Sequence, residues 1–542
     1  MNSWNIQESK KGIAIFLIAL LATFLPVIFI EHSVLKYTSG IFMYPLDDTF
    51  IHMKMADNLA FNHTWGINPG QFGSASSSIL YTIILAFCFR LFSSIIIIPF
   101  IINCIAALLL LFFIQRWLIL HGMNYFKIIL AMLFVIYLTP LPILIISGME
   151  HMLQCLFSVL FIFSFSEWIQ KLQLEGKGKS IPPSIYIYGI LTAAIRYEGI
   201  FIIAIACLIL VFNKKLLHAI LLGFVCMLPL LVFGIYSIHR GSYFLPNSVL
   251  VKSETIPTGL SGLIHFISNI LVEKLTLSRA GIAALATQRL LFILPLALIV
   301  FKQQIKGNTS YLYVLVFYFG ATLFHLSLAS TGWFYRYEAY LIAGGVLISS
   351  YLLFLYGDKI WTQQPILMRI VMTIVLIYLI FPIVLRSTAA FSKARQACIN
   401  IYEQQYQMAE FSRKYYNNNI IAANDIGAVS YFSGARILDL WGLASIEVAK
   451  SKKKNYWTPD FLDRLVHQNN ADVIMVYDSW FSDSLLKRWN KVATWKIQNN
   501  VVCGDSIVSF YATNIYKANN LKNNLIMYQK DLPSKVVVSY NQ

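Results

Sequence analysis

Tyr44-Pro45-Leu46-Asp47-Asp48-Thr49-Phe50-Ile51-His52 places two adjacent carboxylates just beyond an apolar run at 12–30. That run is long enough for a helix across about 30 Å of hydrocarbon. Two neighbouring acids at a membrane surface cost desolvation and mutual repulsion, so they ask for a chemical reason. General-base work on an acceptor hydroxyl is one. Capping of a short surface helix beginning at Asp47 is another, with Asp48 near its positive end.

Working outward, apolar runs of bilayer length recur near 95–114, 128–146, 151–169, 218–237, 287–301, 311–329, 339–356 and 366–386. The chain is 58% hydrophobic and only 12% charged over 542 residues, which excludes an ordinary soluble protein. After Arg386 the texture turns polar. The sequence therefore predicts a mostly α, polytopic membrane domain over 1–386, with about 10–12 membrane helices, and a soluble α/β domain over 387–542. The loop 31–77 is expected to carry the catalytic groups. The run 78–92 is expected as a re-entrant or interfacial piece, or as part of one long element with 95–114. The run 184–212 is expected as two short helices meeting near Arg196-Tyr197-Glu198-Gly199.

The net charge of +17 is assigned to loop topology and anionic lipid headgroups; no nucleic-acid motif accompanies it. Lys10 and Lys11, Arg116 with Lys127, Lys171 with Lys177 and Lys179, Lys214 with Lys215, and Lys302 with Lys306 suit the cytoplasm. The segments 31–77, 147–151, 238–286 and 330–338 then face outward, as does everything past Arg386. The first run reads as an uncleaved span with a cytoplasmic amino terminus. Cys88, Cys104, Cys155, Cys207 and Cys226 fall in apolar runs and read as small core residues; pairing of Cys398 with Cys503 stays open.

Further polar residues interrupt the apolar background. Asp48 and His52 lie one turn apart on one helix face. Glu150 and His151 sit between two spans, where they either orient an acceptor or belong to a solvated loop. Arg196 and Glu198 lie inside an apolar run and form either an ion pair or a substrate contact. Asn247 and Lys252, then Arg336 and Glu338, occupy outward loops; a guanidinium or ammonium there suits a lipid phosphate or anchors the membrane interface. No zinc spacing, P-loop, GxGxxG or GxSxG occurs, and His52 with His63 is weak ground for a metal. In the soluble end, 390–416 reads as an amphipathic helix. Ile420–Ala423, Arg436–Leu440 and Val473–Val476 read as strands, Pro459–His467 as a helix, and Val501–Tyr511 as a hairpin around Gly504-Asp505.

In order along the chain, Leu46-Asp47-Asp48-Thr49-Phe50-Ile51 with Asn68-Pro69-Gly70, Ser147-Gly148-Met149-Glu150, Arg196-Tyr197-Glu198-Gly199, Leu245-Pro246-Asn247 with Lys252, and Arg336-Tyr337-Glu338-Ala339-Tyr340 resemble the GT-C superfamily of multi-span glycosyltransferases. The likeness extends to the bacterial terminal arabinofuranosyltransferase-like branch. A fainter echo is Asn424-Asp425-Ile426-Gly427-Ala428 with Leu438-Asp439-Leu440-Trp441-Gly442-Leu443. Tyr197 stands where relatives usually carry proline. The resemblance implies a polyprenyl-phosphate-sugar donor, a glycan or glycolipid acceptor, and chemistry on the periplasmic face of a bacterial cytoplasmic membrane. It makes Asp47 the base. Asp48 would position the acceptor, tune its neighbour or hold a divalent cation; no cofactor is otherwise implied. A transporter or flippase of a lipid-linked saccharide, or a polysaccharide polymerase or ligase, is the alternative.

Overall fold

The computed structural model describes residues 6–175, 180–252 and 281–541. Among these, eight helices are long and apolar enough to span a bilayer: Lys10–Tyr37, Ile98–Leu120, His151–Leu174, Leu216–His239, Ile282–Val300, Thr309–Leu328, Ala339–Thr362 and the first part of Ile366–Tyr415. Four shorter apolar helices accompany them: Ile79–Phe92, Tyr125–Leu138, Pro183–Ile195 and Gly199–Phe212. Along 366–381, Ile366, Leu367, Ile370, Val371, Ile374, Ile377, Tyr378 and Phe381 are all exposed. Such a surface is tolerable only against hydrocarbon. The chain is a multi-pass membrane protein.

One expected span differs in detail. The run 128–146 is not one helix. It breaks between Tyr125–Leu138 and Leu141–Ile146, where Pro140 and Pro142 remove backbone donors. The buried amide of Asn103 meets the Leu144 carbonyl at 3.1 Å, satisfying a group near that break. The run 78–92 forms its own helix, Ile79–Phe92, which ends at Ser93 before Ile98–Leu120 begins. The 184–212 run is two short helices meeting at Arg196–Glu198. Lys177, Lys179 and most of the 238–286 loop lie outside the described residues.

Two compact units emerge. The first comprises 1–29, 100–231 and 253–392; the second comprises 30–99, 232–252 and 393–542. Helix α1 (Ile6–Tyr37) runs from the first into the second. The second unit thus gathers the first loop and the polar C-terminal segment around one core.

That unit is built on a six-stranded sheet of order β2-β1-β3-β5-β4-β6. Its strands are β1 (Ile420–Ala423), β2 (Arg436–Asp439), β3 (Val473–Val476), β4 (Asn490–Lys496), β5 (Ile507–Ala512) and β6 (Val537–Tyr540). β1 pairs parallel with β2 and β3, and the remaining pairs are antiparallel. β3 is buried along its whole length, as a central strand covered on both faces requires. One face packs Phe461, Leu462, Leu465 and Trp489; on the other, Phe411 meets Trp495, Phe510 and Tyr528. The hairpin expected over 501–511 is displaced. Its first strand is Asn490–Lys496, and Gly504-Asp505 lie in the connection before β5. β4's alternation was hidden by its polar Asn490, Lys491, Thr494 and Lys496.

Helix α2 (Asp47–Asn62) carries the acid pair and buries Phe50, Ile51, Met53, Met55 and Ala56 within the unit. It is a packed helix, where the sequence suggested one lying on the membrane surface. The chain after it is fastened to the sheet edge. Asn68 donates to the Ile437 carbonyl at 2.8 Å and accepts from the Ile437 N–H at 3.0 Å, so the free side of β2 is capped by a side-chain amide. A Cβ at Gly73 would stand 2.6 Å from the Ala444 carbonyl oxygen, which explains glycine there.

Asn68→Ala leaves both Ile437 backbone groups without this partner, at a cost of about 1–3 kcal/mol. The apparent melting temperature of the purified chain in detergent should fall by several degrees, while Asn519→Ala, on exposed helix surface, should leave it unchanged.

Candidate functional site

Asp47 does not cap its own helix. The N-cap of α2 is Leu46, which makes no side-chain cap bond. The Asp47 carboxylate instead reaches a segment 380 residues away. Its Oδ2 accepts from the Gly427 N–H at 2.6 Å and its Oδ1 from the Ala428 N–H at 2.7 Å. These are the first amides of the short helix Gly427–Phe432, left without intrahelical partners by helix geometry. A side chain at 427 would collide with the Asp47 carbonyl and carboxylate, so glycine is obligatory there.

The sheet topology explains the location. In the order β2-β1-β3 the chain leaves β1 for one side and returns for β3 on the other. The crevice at the C-terminal ends of β1 and β3 is where open α/β sheets take their ligands. Here that crevice holds Asp47. Its walls are Asn424 and Asp425 after β1 and Tyr477 after β3. The Tyr477 N–H donates to Asn424 Oδ1 at 3.1 Å. The Tyr477 hydroxyl and Gln405 Nε2 both reach Asp425 Oδ2, at 2.9 and 2.8 Å.

Buried Asp47 and half-buried Asp425 therefore share one crevice. Burial raises the Asp47 carboxyl well above the ordinary aspartate range, and the Asp425 charge and hydrogen bond raise it further; the two backbone N–H bonds oppose this. A carboxyl raised in this way takes up a proton more readily than an ordinary aspartate. Asp425 was visible in the sequence only as part of the faint Asn424-Asp425-Ile426-Gly427 echo, because nothing local announces that residue 47 will face it. Asp48 is half-buried beside the pair. His52 is buried, with Nδ1 3.1 Å from Ser76 Oγ and its ring edge-on to Tyr81. Asn247 is also buried in this unit, its N–H bonded to the Ser74 carbonyl at 3.1 Å. Lys252 ends the helix Asn247–Lys252, and only its backbone is described. Cys398 and Cys503 are buried free thiols.

The remaining expected residues gather in the first unit. Arg196 grips Glu198 with two bonds, at 3.0 and 2.7 Å, and reaches Glu150 Oε1 at 2.5 Å. Glu150 and His151 are fully buried, which overturns the solvated-loop alternative for them. Their side chains lie 3.9 Å apart. The Tyr337 ring receives the guanidinium groups of Arg196 at 5.3 Å and Arg336 at 5.0 Å. Glu338 accepts from Arg386 Nε at 2.6 Å and from the Gly332 N–H at 2.9 Å; Arg386 also donates to the Tyr335 carbonyl. Arg386, read in the sequence as a boundary marker, is thus a fully buried member of this cluster. Arg196 and Glu198 form an ion pair. Arg196 pairs with Glu150 and Glu198, and Arg386 with Glu338, as charges buried in a membrane domain require.

No group of three or more His, Cys, Asp or Glu residues suited to a metal occurs among the described residues. Each Asp47 oxygen accepts one backbone N–H bond.

Residues 399–511 match a family described as a domain of unknown function (DUF8728). No curated protein sequence matches the chain. Two solved structures from Archaeoglobus fulgidus are similar to it. The oligosaccharyltransferase in the apo form superposes with a TM-score of 0.54 at 12% identity, covering 97% of this chain and 76% of that one. The archaeal oligosaccharyltransferase AglB, in complex with an inhibitory peptide and a dolichol-phosphate, gives a TM-score of 0.53 at 12% identity, covering 99% and 76%. The fold is GT-C-like. At this identity the likeness is one of fold.

Because Asp47 is held above its ordinary value, the folded chain binds more protons than the unfolded chain between the two values. Its contribution to stability is present below the ordinary aspartate range and is lost as pH rises through the raised value. Asp425→Asn removes the facing charge. Melting temperatures measured from acid to neutral pH should fall less steeply in this variant than in the parent chain.

Proposed function

We propose that the chain is a membrane glycosyltransferase. It moves a sugar from a polyprenyl-phosphate-linked donor to an envelope glycan or glycolipid, on the periplasmic side of a bacterial cytoplasmic membrane. The observation that carries this reading is buried Asp47 facing half-buried Asp425 at the switch-point crevice of the C-terminal sheet, with Asp48 next in sequence. The GT-C-like fold supports it, since one similar structure holds a dolichol-phosphate, a lipid of the expected donor class. The motif order along the chain supports the terminal arabinofuranosyltransferase-like branch.

On this reading Asp47 is the general base, and Asp425 tunes it by sharing a proton. The acceptor hydroxyl gives its proton to Asp47. The acceptor oxygen bonds to the anomeric carbon as the bond from that carbon to the phosphate oxygen breaks. Polyprenyl phosphate leaves with the electron pair. Asp48 and His52 orient the acceptor, with Asn247 behind them. From the motif order alone, Lys252 and Arg336 are the cations assigned to the donor phosphate, and Glu150, His151, Arg196, Glu198 and Glu338 are assigned to substrate binding. The isoprenoid tail lies among apolar helices, each buried methylene contributing about 0.8 kcal/mol.

Sugar transfer in membranes from cells expressing the chain provides the test. Base removal costs about 10²–10⁴ in rate. Asp47→Asn should lose that much at normal protein level, since asparagine keeps one oxygen for the helix amides. Asp48→Asn should lose less and act mainly through the acceptor KM. Unchanged transfer by Asp47→Asn would remove Asp47 from the chemistry.

A further inference from the structure

Three indoles and one ammonium group gather where β2 and β3 end. Trp441 follows β2, Trp480 lies in the turn after β3, and Trp457 precedes the helix Pro459–Gln468. The Trp441 ring is 4.4 Å from Trp480 and stands edge-on to Trp457 at 5.5 Å. Lys452 Nζ lies 3.1 Å from the Trp441 ring centre and 4.6 Å from that of Trp457. All four side chains are half-buried.

No described carboxylate forms an ion pair with Lys452. Asp439, the acid whose charge it feels, is buried and already accepts the N–H groups of Trp441, Gly442, Ala444 and Ser445. Those four bonds pin the loop that carries Trp441. Burial lowers the Lys452 ammonium to about 8. It is still charged at neutral pH, with hydrogen-bond donors that the rings do not use. Lys450, Lys453 and Lys454 add positive charge on the same short stretch. Trp457 stands edge-on to Trp441 and Trp480 is tilted against it, so the three half-buried rings form one apolar patch with a cation on it. The patch also adjoins the acid pair. Trp480 is 5.4 Å from the ring of Tyr477, whose hydroxyl donates to Asp425.

We propose that Trp441, Trp457, Trp480 and Lys452 form a binding platform for an acidic saccharide. The C–H faces of the sugar rest on the indoles, and its carboxylate or phosphate takes the Lys452 ammonium. The platform deepens the glycosyltransferase reading by naming the acceptor class. It rests on that reading only for the word acceptor, because binding is measured without transfer.

Calorimetric titration of the full chain in detergent provides the test, with trigalacturonate and a mannose 6-phosphate oligosaccharide as the two anionic probes and maltotriose as the neutral one. At least one anionic probe should bind saturably and more tightly than maltotriose; which one it is identifies the anion. Lys452→Gln should weaken that binding about tenfold or more, as loss of one charge-assisted contact does. Trp457→Ala should weaken it as well, and Lys453→Gln should leave it within about twofold. No binding by either probe overturns the platform, as does equal loss in Lys452→Gln and Lys453→Gln, which would mean diffuse charge. Lys452-dependent binding to phosphatidylglycerol vesicles without saccharide binding overturns it in favour of a lipid surface. Intact binding in a chain inactive in transfer would sink the enzymatic reading and leave the platform standing.

Discussion

One carboxylate joins the two ends of this sequence. Asp47, early in the first loop, accepts the leading N–H groups of a helix that starts at Gly427. The helix end supplies partial positive charge and two unsatisfied donors, and the crevice supplies burial. In a free-standing α/β domain that seat is open to an outside anion. Here a side chain of the same polypeptide takes it, and the ligand crevice becomes the place where the first loop is held.

That constraint organises the second unit. The loop must come close enough for Gly427 to tolerate no side chain, and Asn68 and Gly73 then follow the sheet edge at β2. The same approach brings Asp47 against Asp425, so the fastening bond and the perturbed acid are one feature. Burial and the facing Asp425 charge both work against ionisation of Asp47, and the two helix amides offset part of that cost. In the first unit the opposite policy holds. Arg196, Arg386, Glu150, Glu198 and Glu338 neutralise one another within a membrane domain, at the cost of desolvating each group.

Much of the fold was legible because bilayer length and parallel-strand burial leave strong local signals. Ile420–Ala423 and Val473–Val476 read as strands from composition alone and are β1 and β3. The break at Arg196–Glu198 was legible from its charges, whereas the one at Pro140 was harder, since hydropathy averages over it. β4 was lost because its outward face is polar. The importance of Asp47 was legible from two acids set in an apolar background. Its actual partners were not, because Gly427, Ala428 and Asp425 lie some 380 residues away and pattern-reading has no range of that kind. Glu150 and His151 looked like loop residues for the same reason: the groups that bury them come from other segments.

The account stands or falls on the bond between Asp47 and the Gly427–Phe432 helix. Hydrogen exchange followed by mass spectrometry, on peptides covering 424–432 and 507–512 in the parent chain and in Asp47→Ala, measures it directly. The account predicts that the first peptide loses protection in the variant while the second, in β5, keeps it. Equal protection of 424–432 in both proteins would contradict it.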